Sequence, residues 1–242
     1  GVAVILRAVE AFHASAMYYS TAGVRDGIIA DLAARGVGRQ LARLNREQLQ
    51  VVESMARKYG VPVKHGRKVA AIAQSLFECL QPLHKLPVDQ GKLLEAAGYL
   101  HDVGHYVSDT GHHKHSQYLV ENSDMPGFTD RERLLISLLC RYHRKTLPNS
   151  RHIPFQTLNA DTKRAITMLA PLLRIADALD STKEQTIANV ACQHRNGAVL
   201  VNVESAGDAD LELWAAERAG DVFREVYGRP IVFVGSGKAA RR

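Results

Sequence analysis

Through most of the chain apolar residues recur every three or four positions, and near its end the spacing shortens to two. Val69, Ile72, Ala73, Leu76 and Leu80 share one face of a helix that starts after Tyr59-Gly60-Val61-Pro62-Val63. Leu93, Leu94, Ala97, Leu100 and Val103 mark a second helix ending near Gly104, and Leu172, Leu173, Ile175, Ala178 and Leu179 mark a third. Helices are predicted almost continuously from 39 to about 188. Breaks fall at Gly60-Val61-Pro62, from Gln81-Pro82 to Gly91, at Ser108–Gly111, at Met125-Pro126-Gly127 and over Pro148–Asn159. Thr129-Asp130-Arg131-Glu132 has the form of a capping start.

After residue 188 the period changes. Segments 190–194 and 198–203 flank Arg195-Asn196-Gly197, a hairpin signal. Leu211–Trp214 reads as a strand, 215–227 as a helix and 231–234 as a last strand, with a basic tail over 235–242. Ahead of the helical zone, residues 1–33 predict a helix, a strand near Met17–Ser20 and a helix from about Val24, then a break at Gly36-Val37-Gly38. The expected architecture is mainly α, a helical bundle over 36–188 with a small C-terminal α+β element over 189–234. That element is read as a cap on the bundle or a contact between subunits, with a separate nucleotide or effector module as the alternative.

A few polar residues interrupt these apolar faces. Asp177 stands among Leu172, Leu173, Ile175, Ala178 and Leu179, where a buried carboxylate needs a partner. The pair His101-Asp102 closes the second helix and His65 opens the first. Imidazole nitrogen and carboxylate oxygen are the donors that hold divalent ions of the Zn, Fe, Mn and Mg range, and the site is hydrolytic if water keeps a coordination position. Neighbouring helical residues diverge by about 100°, so His101 and Asp102 reach one ion only in a groove between helices. His65 and Asp177 then come from other helices. His105 lies at i, i+4 from His101, but Gly104 and the Ser108–Gly111 turn interrupt the helix, and His105 is read as structural. Asp109, Glu95 and Asp180 are the carboxylates considered as partners for ligand histidines.

His65, His101-Asp102 and Asp177 resemble the H…HD…D signature of the HD phosphohydrolase superfamily, whose members hydrolyse phosphate esters and anhydrides with bound metal. The stretch HHKHSQYLVENSDMPGFTDRERLLISLLCRYHRK is similar to the C-terminal half of the exopolyphosphatase/guanosine pentaphosphate phosphohydrolase family. Residues 1–33, ending YYSTAGVRDGIIADL, resemble the close of that family's actin-like catalytic region, so 1–35 is expected to be a remnant of it. No glycine-rich phosphate loop appears in the 242 residues, and the chain looks like a C-terminal piece. The resemblance implies an HD domain with His65, His101, Asp102 and Asp177 on a first metal ion, with His115 and His143 as the extra histidines of two-metal HD enzymes. One or two divalent ions (Mn, Fe, Mg or Zn) per chain are expected, with Asp102 bridging them. Such ions activate water and clamp the attacking and leaving oxygens.

Charge agrees with a phosphorylated ligand. The chain has 31 Lys+Arg against 25 Asp+Glu, a formal +6. Arg141, Arg144, Lys145 and Arg151 surround His143 without an acid, and Lys64 and Arg67 flank His65. Arg144 and Lys145 are expected to contact phosphate, with Asp102 the catalytic carboxylate. Only 6% of residues are aromatic, which argues against a stacking platform for nucleic acid. Cys79, Cys140 and Cys192 form no CxxC and are read as buried free thiols in a reducing cytoplasm. The opening GVAVILRAVEAF is too short and too charged to be read as a signal peptide, and no run of about 18 apolar residues appears in these 242 residues. The expected function is phosphoanhydride hydrolysis of polyphosphate or guanosine pentaphosphate by a homodimer. The alternatives are a noncatalytic polyphosphate-binding and dimerisation module, and a nucleotide phosphatase or phosphodiesterase.

Overall fold

The computed structural model describes residues 41–149, 151–195 and 197–237. The expected elements and actin-like remnant of residues 1–35, the Gly36–Gly38 break and the tail from 238 lie outside them. All described residues fall in one compact unit, Gln40–Arg242.

The molecule is mainly α with a small C-terminal sheet, as the periodicity predicts. Helices α1 (Arg46–Lys58), α2 (Val63–His84), α3 (Gln90–Leu100), α4 (His112–Glu121), α5 (Asp130–Tyr142), a short α6 (Ile153–Gln156) and α7 (Ala160–Ala178) follow one another. A hairpin of β1 (Ile187–Arg195) and β2 (Ala198–Ser205) comes next, then α8 (Asp210–Tyr227) and β3 (Ile231–Gly237). In α2 the apolar face is wholly inside: Val69, Ala73, Leu76 and Leu80 have no exposed surface. Thr129 caps α5 as a full capping box with Glu132, and Asn45 with Gln48 does the same for α1. The predicted helix over 93–104 stops sooner. α3 ends at Leu100, and a 3-10 turn over Val103–Tyr106 carries the chain toward α4.

The sheet has strand order β1-β2-β3, with β1 and β2 antiparallel and β2 and β3 parallel. Gly197 turns the hairpin at φ +77°. A parallel partner needs a crossover, and α8 supplies it. Leu211–Trp214 therefore belongs to a helix and not to a strand. Its alternation is the exposed edge of an amphipathic helix, with Glu212 buried and Leu211 and Trp214 outside. β3 also runs three residues beyond the predicted 231–234.

Cys79 of α2 and Cys192 of β1 are joined as a disulfide with their Cα atoms 6.0 Å apart. This corrects the expectation of three free thiols. The two lie 113 positions apart in sequence, so only the packing of the hairpin on α2 brings them together. Cys140 is free and buried. No helix among the described residues is long and apolar enough to cross a membrane.

Candidate metal centre

Five elements converge on Asp102. It sits just past the C-terminus of α3, at φ −98° and ψ 0°, in the sparsely occupied bridge region where many active-site residues are found. Its side chain is 9% exposed. Around it stand His65 from the first turn of α2, His101 from the end of α3, His112 from the start of α4, His143 from the end of α5 and Asp177 from the last turn of α7.

Each imidazole is aimed by its Nδ1. That atom lies 2.8 Å from Asp180 Oδ2 in His65, 2.9 Å from the Gly98 carbonyl in His101, 2.6 Å from the Cys140 carbonyl in His143 and 3.2 Å from the Asp109 carbonyl in His112. Carbonyl and carboxylate oxygens only accept, so Nδ1 donates in each ring and Nε2 is turned inward. Among the described residues His65 Nε2 is buried without a hydrogen bond, His101 Nε2 has Asp177 Oδ1 as its nearest carboxylate oxygen at 3.3 Å, and His112 Nε2 and His143 Nε2 face each other at 3.3 Å. Two acceptors so placed repel unless a proton or a cation lies near.

The carboxylates close the cluster. His65 Nε2 is 3.7 Å from Asp102 Oδ2 and 3.8 Å from Asp177 Oδ1, while His101 Nε2 is 3.6 Å from Asp102 Oδ1 and 3.3 Å from Asp177 Oδ1. Asp102 Oδ1 lies 3.8 Å from His112 Nε2 and 3.9 Å from His143 Nε2. Donors bound about 2.0–2.2 Å from one ion stand about 3–3.5 Å apart, so these spacings need only small closure. Two ligand groups result, His65-His101-Asp102 and Asp102-His112-His143, and Asp102 belongs to both. The donor set, with His65 Nε2 orphaned, fits one or two divalent ions.

Without such ions the charges lean on one another. Burial opposes protonation of His101, but Asp102 and Asp177 prevail and push it up to about 9. Burial, with His101 beside it, pushes His143 down to about 3. Asp102 overcomes its own burial and stays well below the usual carboxylate range because of His101 and Lys183, and Asp177 falls to about 2 beside His101.

His115 is not in either ligand group; it is half-buried one turn along α4, and His112 stands where the resemblance placed an extra histidine. The signal was there in the run His112-His113-Lys114-His115, but only the entry of α4 through Gly111 at φ +74° decides which ring faces Asp102. Of the candidate partner carboxylates, Asp180 orients His65, Asp109 takes His105 Nδ1 at 2.6 Å, and Glu95 lies elsewhere, accepting from the Leu44 amide at 2.8 Å.

An open cavity of about 440 Å³ faces the cluster, lined by Asp102, His105, His143, Arg144, Asp177 and Lys183 among others. Lys145 does not line it. Its backbone is left-handed at φ +62°, and its carbonyl accepts from Arg174 Nη1 at 3.0 Å. Arg174 also donates to the carbonyls of Tyr142 and Thr146 at 2.8 and 2.9 Å, so this buried guanidinium fastens the end of α5 and the His143 that follows. Arg67 pairs with Glu53 at 2.7 Å, and Arg141 donates to Gln117 at 3.0 Å. Arg174 and Lys183 escaped sequence reading. The one clue to Arg174 is a charge inside LLRIAD, the same clue that singled out Asp177.

A family model described as Ppx/GppA phosphatase, domain III, matches residues 48–212. The chain belongs to the Ppx/GppA phosphatase family. Every residue of the cluster lies within the matched Ppx/GppA segment. The chain is similar to the guanosine-5'-triphosphate,3'-diphosphate pyrophosphatase of Aeromonas hydrophila, 26% identical over 227 residues, which is 93% of this chain and 44% of that protein. The same-named protein of Aeromonas salmonicida is 26% identical over 230 residues, with the same coverage. That of Vibrio parahaemolyticus is 26% identical over 148 residues, 61% of this chain and 29% of the relative. This Ppx/GppA chain thus spans under half the length of those relatives.

Proposed function

We propose that this chain is the metal-dependent HD phosphohydrolase domain of a Ppx/GppA protein, acting on phosphoanhydride bonds of inorganic polyphosphate or guanosine pentaphosphate. One observation carries the reading: four imidazoles from four helices turn their Nε2 atoms on a shared carboxylate, and buried His65 Nε2 has no hydrogen-bond partner among the described residues. A purely structural cluster would satisfy that nitrogen within the chain.

In this reading His65, His101, Asp102 and Asp177 hold one ion, and Asp102, His112 and His143 hold the other. Bound divalent ions acidify water and neutralise charge on phosphoryl oxygens. The chain's own residues do the rest. Asp180 and the backbone carbonyls fix the imidazole tautomers. Arg174 holds the end of α5 in place, and Arg144 at the cavity mouth meets a phosphoryl oxygen. Lys145 is exposed, does not line the cavity and is given no substrate contact in this reading. The relatives' name, guanosine-5'-triphosphate,3'-diphosphate pyrophosphatase, supports an anhydride substrate.

The 44% coverage of those relatives favours a second reading, in which this chain binds polyphosphate by its basic surface while catalysis resides in the part of the relatives it does not span. Metal content and phosphate release distinguish the two, measured on wild type and Asp102→Ala after loading with Mn²⁺, Fe²⁺ or Mg²⁺. The hydrolase reading expects about two ions per chain and turnover, both lost in the variant while polyphosphate retention persists. Equal turnover in wild type and variant would sink it.

A further inference from the structure

The loop after α7 is built to hold one ammonium at the metal cluster. Lys183 Nζ lies 2.8 Å from Asp102 Oδ2, the oxygen that also faces His65. Lys183 reaches it from φ +60°, and Gln185 two residues on has φ +56°. Side chains seldom adopt that region, and where they do the surroundings enforce it. Here the enforcement is visible. Lys183 N donates to the Asp180 carbonyl at 2.9 Å, Gln185 N donates to Asp180 Oδ1 at 2.8 Å, and the Thr182 hydroxyl donates to the buried Glu212 carboxylate of α8. Asp180 therefore fixes the His65 ring with one oxygen and the Lys183 loop with the other.

Packing alone does not ask for this. The Lys183 side chain is 44% exposed, and a flexible amine so placed can reach water at little cost. It is spent instead on a carboxylate that the ligand set needs. Lys183 also lines the open cavity together with Arg144 and His105, whereas the guanidinium of Arg174 is committed to three carbonyls.

We propose that Lys183 is the substrate anchor of this site: in the metal-free protein its ammonium stands in for a divalent ion on Asp102, and on loading it is released into the cavity to hold a phosphoryl oxygen. The inference rests on the two-ion reading of the cluster. The ligand it predicts is a tetrahedral phosphoryl oxyanion, for which an ammonium offers a point charge and three donors.

The test is calorimetric titration of Mn²⁺ into metal-free wild type, Lys183→Met and Lys183→Arg, followed by inorganic phosphate into each Mn²⁺-loaded protein, with circular dichroism to verify the fold. Removing a competing charged hydrogen bond should tighten Mn²⁺ binding about tenfold in Lys183→Met and weaken phosphate binding about tenfold. Lys183→Arg should keep phosphate binding near wild type without tightening Mn²⁺. Equal or weaker Mn²⁺ binding in Lys183→Met overturns the stand-in role, and unchanged phosphate binding overturns the anchor. Wild type that takes up no Mn²⁺ overturns the two-ion reading and the inference together.

Discussion

His112 and His115 are separated by less than one helical turn, yet their surroundings assign them different work. The His112 ring is buried, its Nδ1 is 3.2 Å from the Asp109 carbonyl and its Nε2 meets His143. His115 is half-buried and belongs to neither ligand group. His112→Ala should therefore reduce bound Mn²⁺ from about two ions to about one per chain, and His115→Ala should leave the stoichiometry unchanged. Elemental analysis after desalting reads both, and a two-ion His112→Ala protein with a one-ion His115→Ala protein would reverse the assignment. The sequence shows which residue types bind but not which of three clustered histidines does, because that depends on the phase at which α4 starts. Asp177 stood out for a different reason, being a carboxylate where the apolar period calls for a buried residue, whereas His65, His101 and Asp102 were singled out by their donor chemistry and by the resemblance to the H…HD…D signature. Lys183 lacks such a background, since it sits in a polar loop where lysine is unremarked. Only the left-handed backbone and the tie to Glu212 single it out.

At the scale of elements the site depends on how closely α2 and α3 approach, since α2 carries His65 and α3 ends on His101. Gly98 sets that distance. A Cβ there would lie 2.7 Å from Ala70 Cα and 2.8 Å from Ala70 N, against backbone atoms that cannot turn aside. Gly104 does the same where the 3-10 turn passes α4, its missing Cβ leaving room for the His112 carbonyl and Ser116. The Ser116 hydroxyl fastens that crossing, accepting from Gly104 N at 2.8 Å and donating to the His101 carbonyl at 2.6 Å. Gly98→Ala should cost about 1–3 kcal/mol of stability and weaken Mn²⁺ binding, because α3 must move off α2. Urea unfolding without metal gives the first quantity and calorimetry the second. A variant as stable as wild type would mean that the helices separate without strain. Helix identities and the capping box at Thr129 could be read from sequence because they are local. The helical nature of Leu211–Trp214 could not, because alternation over four residues fits both a strand and the edge of an amphipathic helix, and the parallel pairing of β2 with β3 that demands a crossover is non-local.

For the whole molecule, the cluster is a knot that joins α2, α3, α4, α5 and α7 through side chains that repel one another when no cation is present. Positive charge there comes from His101, which Asp102 and Asp177 raise to about 9 against its burial, and from Lys183 Nζ at 2.8 Å from Asp102 Oδ2. An ion bound only by the folded state stabilises it by about 2.7 kcal/mol at a hundredfold excess over Kd. For a chain of this size each kcal/mol raises the melting temperature by about 2–4 °C, so saturating Mn²⁺ should raise it by about 5–10 °C. The shift also has a direction with pH. His101 is raised in the metal-free fold to about 9, so its protonated form contributes stability below the unfolded value near 6.5, and that contribution is lost as pH rises through 9. An ion can bind His101 only after displacing that proton. Mn²⁺ should accordingly stabilise more at pH 8 than at pH 6.5, with the gain levelling off above about pH 9. Thermal scans with EDTA and with Mn²⁺ across that range measure it, and Asp102→Ala, lacking the shared ligand, should show no shift at any pH. A shift of equal size at all pH values would place the ion away from His101, and a shift retained in Asp102→Ala would place it away from this cluster.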